Sequence, residues 1–541
     1  MTSSSSIKKL TLFSILLVFI LYIWDIGNLD AIRQGTEGFY LQIAKEMYEN
    51  GSFLTPLYNG ENHWSKPPLQ FWMADFFYLL GGGPSIFLSR LVIVLFSLAT
   101  IIIASRLVSR IISKPFLLIF VYISATLGMF KYSRIFMMEM PLTMLTTIGA
   151  LYFYQYLENK KHALHYASIF LGLSVLVKGP VSLVMAGGGI GLFLLIEWYM
   201  FGFNKLDLKK AVICLLYSLA IASVWFIICT IKYGHEFIDY FFLRENLGKF
   251  ASKSYPIRHV FQGLLIFSLP WSLYLPTSIS QVKDHWIKVK NDKFLMFSNC
   301  SFFVFFTLWL IPSQRSHHYA MPSLIFFLIS NFILLNNYSL SEKREKMLKL
   351  ANIAIASLMG LTGILLSALL IFKEVSSSTS LTIKVITTAC LLFLGSFLFI
   401  KSKKQLSKYF IALFIIGNLW NIFIPSFILP YMPEQVIKLI GSKEVSAAVR
   451  KPYFIEEALD RKINWIGGSK IRQYILENNH LYITHKVTYD RYELSNLTNV
   501  VTSWKVWRRG VKAKDGIQAL SSKNIEQLKD TVYLLENKPL K

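Results

Sequence analysis

The chain is poor in charge. Of its 541 residues only 16% are Asp, Glu, Lys or Arg, where a soluble protein carries about a quarter. It is also poor in cysteine: Cys214, Cys229, Cys300 and Cys390 lie far apart within apolar stretches, and none belongs to a CxxC. That usage excludes a disulfide framework and a zinc ribbon. Polar and apolar residues do not alternate over segments of about ten, which excludes a membrane β-barrel. Low charge beside 54% hydrophobic residues excludes a soluble enzyme, a disordered chain and a fibre.

What the chain has instead is one apolar run after another, each about 20 residues long, the length of a helix that crosses a bilayer. About thirteen spans are predicted, near 8–25, 85–107, 115–130, 140–157, 163–178, 180–200, 211–231, 258–278, 295–312, 318–336, 350–372, 381–400 and 408–429. MTSSSSIKKL and the run after it resemble a signal peptide. No small-residue cleavage site follows, so the run reads as an uncleaved first helix with Lys8 and Lys9 on the cytoplasmic side.

With that orientation, alternate connections should be basic, and they are. They carry Arg106, Arg110 and Lys114, then Lys160 and Lys161, then Lys205, Lys209 and Lys210. Lys283, Lys288, Lys290 and Lys293 follow, then Lys343, Arg344, Lys346 and Lys349, then Lys401, Lys403, Lys404 and Lys408. The formal charge of +25 is therefore read as a positive-inside bias. Nucleic acid is not a partner, since that would call for one basic face on a soluble domain.

The fold class that follows is an all-α polytopic membrane domain over residues 1–430, with a small soluble α/β domain over 431–541 on the outer side. In the latter, HLYITHKVTYDRYEL and NVVTSWKVWRRG read as strands, and NIEQLKDTVYLLEN as a helix running into a strand.

The first outer loop, about 25–84, is the most unusual segment. Tyr40, Leu41, Ala44, Met47 and Tyr48 form one apolar stripe of a helix, with Thr36 as N-cap and Gly51 just past its end. After a turn at NGENHW, KPPLQFWMADFFYLLGGG opens a second helix with proline in its first turn and glycines at its end. Two such helices suit the membrane interface, either as a brace or as a site for a substrate that itself lies there.

The loop's notable charges are Asp30, Arg33, Glu37, Lys66 and Asp75. The threading brings further charged groups to the same outer face: Lys131, Arg134 and Glu139, Lys178, then Arg244, Glu245 and Lys249, then Arg315, His317 and His318. Ionisable groups at a membrane edge are costly, so a converging set marks a functional site. Carboxylates beside cations suit a reaction with an anionic leaving group: the carboxylate takes a proton, and Lys and Arg neutralise a phosphate. Taken singly each has a plainer reading. Lys178 could snorkel, Glu139 could pair with Arg134, and adjacent histidines on a helix point about 100° apart and need not share a ligand.

At these residues the chain resembles the GT-C glycosyltransferases of the protein O-mannosyltransferase superfamily, and within it the bacterial 4-amino-4-deoxy-L-arabinose lipid A transferase group. The resemblance is carried by RQGTEGFYLQIAKEM, HWSKPPLQFW, SRIFMMEMP, LVKGP, FFLRENLGKF and SQRSHHYAMP, in family order over the first 322 residues. It implies a bacterial inner-membrane enzyme that moves a sugar, with inversion, from a polyprenyl-phosphate donor to a periplasmic glycolipid, glycan or protein. Membrane lipids surround it and no nucleotide sugar takes part.

The family's Asp-Glu pair reads Thr36-Glu37 here, which moves the base to Glu37, with Asp30 as substitute and Glu139 as a further catalytic carboxylate. The Glu-Lys-Pro reads Ser65-Lys66-Pro67, so the resemblance implies Lys66 on the donor phosphate, with Arg134, Lys178 and Arg315 as its other cations. Arg33, Tyr40, Glu245, Lys249, His317 and Tyr319 complete the implied pocket. Glu245-Asn246 stands where the family has Glu-His; with that His and the Glu before Lys66 both missing, no metal is assigned and no cofactor is implied with certainty. The alternatives are a transporter of polyprenyl-linked sugars and an inactive scaffold; the elaborate first loop and the lack of a two-half inverted repeat favour the enzyme.

Overall fold

The computed structural model describes residues 4–28, 36–247, 255–284, 286–313, 315–427, 432–449, 453–508 and 513–539. The chain forms two compact units. One comprises Met1–Gly27, Tyr40–Leu361 and Leu391–Asn418, the other Asn28–Phe39, Thr362–Cys390 and Leu419–Lys541.

The chain begins with α1 (Ser4–Ile23), α2 (Glu37–Glu49), a hairpin of β1 (Leu57–Tyr58) and β2 (Glu61–Asn62), and α3 (Leu69–Gly81). Then come α4 (Ile86–Ile112), α5 (Phe116–Ser124), α6 (Leu127–Tyr132), α7 (Glu139–Leu157), α8 (Ala163–Lys178), α9 (Val181–Phe201), α10 (Lys205–Ile238) and α11 (Arg258–Phe267). The next helices are α12 (Leu275–Asp284), α13 (Trp286–Asn291), α14 (Lys293–Thr307), α15 (Met321–Asn336), α16 (Glu342–Ser367), α17 (Lys373–Ser376), α18 (Thr379–Lys401) and α19 (Gln405–Asn418).

Among the described residues, nine helices are long and apolar enough to cross a membrane. A tenth is reached if Arg258–Phe267 and Trp271–Lys283, bent by 98°, make one span. The run expected as a single span near 115–130 is broken instead, with Thr126 extended between α5 and α6.

The two breaks hold each other. Leu127 N–H donates to the Leu269 carbonyl (2.9 Å), Trp271 Nε1 to the Tyr122 carbonyl (2.7 Å), and Asn331 Nδ2 to the Trp271 carbonyl (3.1 Å). Tyr22 Oη donates to the Ser124 carbonyl at 3.0 Å. Irregular backbone at this depth is tolerated only where such partners replace water. Hydropathy registers the apolar runs but not these cross-chain bonds.

Both helices expected in the first loop form. The α2 stripe is buried, and the helix ends at Gly51 with φ +62°. The turn between them is a two-residue hairpin: Asn59 (φ +54°) and Gly60 (φ +79°) take the left-handed values a type I′ connection requires. Gly60 N–H donates to Glu46 Oε2 (3.0 Å) and Gln42 Nε2 to Asn59 Oδ1 (2.8 Å), which ties the hairpin to α2. The prolines precede α3 rather than sit inside it, with Pro68 at the N-cap.

The second unit carries a five-stranded mixed sheet of order β4-β3-β5-β7-β6, built from β3 (Val445–Ala448), β4 (Asn464–Trp465), β5 (Leu481–His485), β6 (Thr498–Trp507) and β7 (Lys529–Asn537). β3 pairs in parallel with β4 and β5, while β7 is antiparallel to β5 and β6. Strand β5 stops at His485, and Lys486–Arg491 is a helix where the sequence reads as continued strand. Ile525–Leu528 is a single 3₁₀ turn before β7. The expected domain edge near 430 falls at 428–431, outside the described residues. Thr362–Cys390 joins this unit, where Phe372, Val375, Val385, Phe423, Ala519 and Ile525 share one core cluster.

Candidate functional site

The site is built from the first loop inward. Trp64 is 1% exposed and packs against Tyr233, Phe237 and Tyr240, with ring centroids 5.0–5.8 Å apart. Thr55 Oγ1 donates to Tyr233 Oη (2.8 Å), and Trp225 Nε1 to the Leu54 carbonyl (2.9 Å). These contacts anchor the hairpin segment on the end of α10, which kinks at Gly234 and passes into a π-helical stretch, Asp239–Leu247. Tyr240 Oη lies 3.3 Å from His63 Nδ1, and His63 Nε2 hydrogen-bonds with the Ser65 hydroxyl.

Lys66 follows directly. Its ammonium donates to the Ser65 carbonyl at 2.6 Å and lies 3.9 Å from Glu245 Oε2. A cation tethered to an anchored segment has lost its entropy before any ligand arrives.

A second group gathers on Glu139, the first residue of α7 and 4% exposed. Its Oε1 takes Lys178 Nζ at 3.7 Å and His318 Nε2 at 3.4 Å, while Oε2 is buried with no hydrogen-bond partner. Lys178 also lies over the rings of Trp309 (4.4 Å) and Tyr319 (4.9 Å), within cation–π range.

Tyr40 on α2 is buried. Burial raises its hydroxyl well above the usual tyrosine range, and the charges of Glu139, Tyr319 and Glu245 raise it further. Glu139 and Glu245 therefore both act on one phenol, which stays protonated as a hydrogen-bond donor.

The other expected residues fall elsewhere. His317 stacks on His259 (centroids 4.7 Å apart), so of the two adjacent histidines it is His318 that meets Glu139. Arg315 donates to the backbone carbonyls of Leu310 (3.0 Å) and Tyr255 (2.8 Å). Arg134 is 2% exposed, donates to the Trp24 carbonyl and lies 5.3 Å over Phe130. Glu37 opens α2 and is fully buried. Asp30, Arg33 and Lys249 lie outside the described residues.

His63, Trp309 and Tyr240 join the site without having been singled out in the sequence. Only the proximity of His63 to Lys66 hinted at one of them. Among the described residues no three His, Cys, Asp or Glu side chains are placed to hold a metal.

Residues 65–228, which begin at Ser65-Lys66 and include Glu139 and Lys178, match the family model of dolichyl-phosphate-mannose-protein mannosyltransferase. Over 98% of both chains the fold matches ArnT from Cupriavidus metallidurans bound to undecaprenyl phosphate, with a TM-score of 0.69 at 14% identity. The apo form of that protein gives a TM-score of 0.71. The chain resembles the GT-C glycosyltransferase ArnT.

An uncharacterized protein of Aquifex aeolicus (strain VF5) is 27% identical over 333 residues, covering 61% of this chain and 64% of that one. The undecaprenyl phosphate-alpha-4-amino-4-deoxy-L-arabinose arabinosyl transferase of Wigglesworthia glossinidia brevipalpis is 24% identical over 378 residues, covering 67% of this chain and 65% of that one. The chain thus spans a little under two thirds of the length of these two relatives.

Proposed function

We propose that this chain is a glycosyltransferase of the bacterial inner membrane that takes a sugar from a polyprenyl-phosphate donor. It transfers that sugar with inversion to an acceptor on the periplasmic face, a lipid A-like glycolipid being the acceptor class closest to the ArnT resemblance. The observation that carries the reading is the two ion groups, Lys66–Glu245 and Lys178–Glu139–His318, on residues the resemblance assigns to the site.

In this reading Lys66 receives the donor phosphate, and Glu139, steadied through Oε1, offers Oε2 to a sugar hydroxyl. The acceptor oxygen attacks the anomeric carbon opposite the phosphate. A new C–O bond forms as the bond to the phosphate oxygen breaks, and its electron pair leaves with the polyprenyl phosphate. The acceptor proton goes to a carboxylate base, the role the resemblance gives to Glu37. Cations set where negative charge develops stabilise the transition state more than the ground state, and one such contact is worth about 2–4 kcal/mol, or about 10²–10³ in rate.

The test is transfer by purified protein in lipid, using a panel of polyprenyl-phosphate sugars with the membrane's own glycolipids as acceptors. Sugar-dependent release of polyprenyl phosphate that vanishes in both Glu37→Gln and Lys66→Ala supports the reading. Turnover that survives Glu37→Gln but not Glu139→Gln moves the base to Glu139. Lipid-linked sugar that crosses the bilayer without any release overturns the enzyme in favour of a transporter.

A further inference from the structure

The far end of α7 carries a set of cavities that the reaction above does not use. α7 runs from Glu139 to Leu157, which puts its last turn about 27 Å from the Glu139 group. The basic connections predict that this end faces the cytoplasm. A cavity of about 240 Å³ lies there among the ends of α7, α9, α10 and α14, lined by Glu158, Glu197, Asp207, Lys210 and Lys293. A neighbouring cavity of about 500 Å³ shares Glu158 and Lys293 with it and adds Arg110, Lys160 and Asp292.

Four carboxylates and four cations therefore line the two cavities together, and the set is neutral as a whole. Part of the charge is paired internally. Lys293 Nζ lies 2.6 Å from Glu197 Oε1, with the lysine side chain half exposed, and Lys210 Nζ lies 3.8 Å from Asp207 Oδ1. Glu158, which faces both cavities, makes no salt bridge among the described residues.

An apolar groove of about 300 Å³ lies directly against this charge, between α7, α8, α9 and α10. Glu197, Asp207 and Lys210 line the polar cavity, and the residue after each, Trp198, Leu208 and Ala211, lines the groove. Leu195, Val212 and Leu215 line it too and are exposed, so it opens sideways on helices long and apolar enough to cross a membrane. At its polar end Trp198 leaves its indole N–H buried and unpaired among the described residues, a cost that an acceptor would remove.

Glycines keep the groove open. Gly187 and Gly191, one turn apart on α9, line it, and a Cβ at either would meet no atom within 4 Å. The two glycines between them serve packing instead. A Cβ at Gly188 would lie 2.9 Å from Val304, and one at Gly189 3.0 Å from Ser301, both on α14. The same helix thus closes on α14 through one pair of glycines and leaves a hollow through the other.

We infer that groove and cavities together hold one membrane phospholipid with a zwitterionic, primary-ammonium headgroup, the chemistry of phosphatidylethanolamine. An acyl chain lies over Gly187 and Gly191. The lipid phosphate meets the half-exposed Lys293, and the lipid ammonium, with three N–H donors, reaches Glu158. A neutral set of mixed charges matches a headgroup that carries both signs. An anionic lipid, or the lone phosphate of a polyprenyl carrier, brings net charge and leaves Glu158 facing an anion.

The experiment is lipid binding to the full-length protein in mild detergent, counted by native mass spectrometry over a concentration series. The probes are phosphatidylethanolamine, phosphatidylcholine, phosphatidylglycerol and undecaprenyl phosphate. Wild type should bind one phosphatidylethanolamine about fivefold or more tightly than any other probe. Gly191→Leu places its added atoms in open space, so it should keep wild-type elution and melting while losing about tenfold or more in phosphatidylethanolamine affinity. Gly187→Leu fills the same groove one turn away and should do the same. Glu158→Gln should remove the preference over phosphatidylcholine and phosphatidylglycerol. Added phosphatidylethanolamine should raise the melting temperature of wild type but not of Gly191→Leu. Any other probe that binds wild type as tightly as phosphatidylethanolamine overturns the headgroup assignment. Folded glycine variants that bind it as wild type does overturn the groove. Binding requires no turnover and none of these residues belongs to the proposed reaction, so this inference and the transferase reading can fail separately.

Discussion

At the scale of single residues, the proposed function is tested most sharply at Lys66. Its ammonium is positioned by its own neighbour's carbonyl and by Glu245, so removing it deletes charge without disturbing a core. Lys66→Ala should lower kcat/KM by about 10²–10³ with melting unchanged, and Lys66→Arg should recover part of the loss, read as released polyprenyl phosphate.

Asp75 makes a different prediction. It sits on α3 at 2% exposure with neither carboxylate oxygen hydrogen-bonded, and burial pushes its carboxyl up to about 7. The folded state therefore holds a proton that the unfolded state releases near 3.8, so stability falls as pH rises between these values and is lowest above about 7. Asp75→Asn removes this dependence. Its melting temperature should exceed wild type by ~2–6 °C at pH 8, with a smaller gap at pH 5.

Elements place these residues, and glycines decide how closely elements approach. Gly263→Ala forces a methyl group into the His317 carbonyl and should cost about 1–3 kcal/mol or more, read as a lower melting temperature. At the hairpin tip, Gly60 holds φ +79° and donates to Glu46. Gly60→Val should cost about 1–2 kcal/mol there and loosen Lys66, six residues on, lowering donor affinity more than turnover.

Much at this scale was legible in the sequence. The α2 stripe, its glycine end and the Asn-Gly turn follow from periodicity and left-handed propensity. The division of labour between His317 and His318 does not, because two adjacent side chains differ only in azimuth and α11 settles which is which. Lys486–Arg491 was misread as strand for a similar reason. Its composition suits either state, and strand pairing stops at His485.

The whole molecule is a multi-pass membrane protein, and its basic connections predict an orientation that can be tested. In a Cys390→Ser background, which removes the one exposed cysteine among four, single cysteines at the exposed Glu61 and Lys403 positions should react with a membrane-impermeant maleimide from opposite sides of the bilayer. Same-sided labelling would break the threading and, with it, the periplasmic placement of transfer. Lys66 and Glu139, 73 residues apart in sequence, are placed in one site only by the proposed function.

Composition and hydropathy alone determined that the chain is a helical membrane protein and where its basic connections lie. These properties are local: transfer energy is summed residue by residue along the chain, and helix ends are set by neighbours within one turn. Only the tertiary structure decided which cation met which carboxylate. It fixed Lys66 on Glu245, Lys178 and His318 on Glu139, and Arg134 and Arg315 on backbone carbonyls. A charge seeks its partner through space, and partners distant in sequence are brought within 4 Å only by packing, which leaves no periodic trace in the sequence.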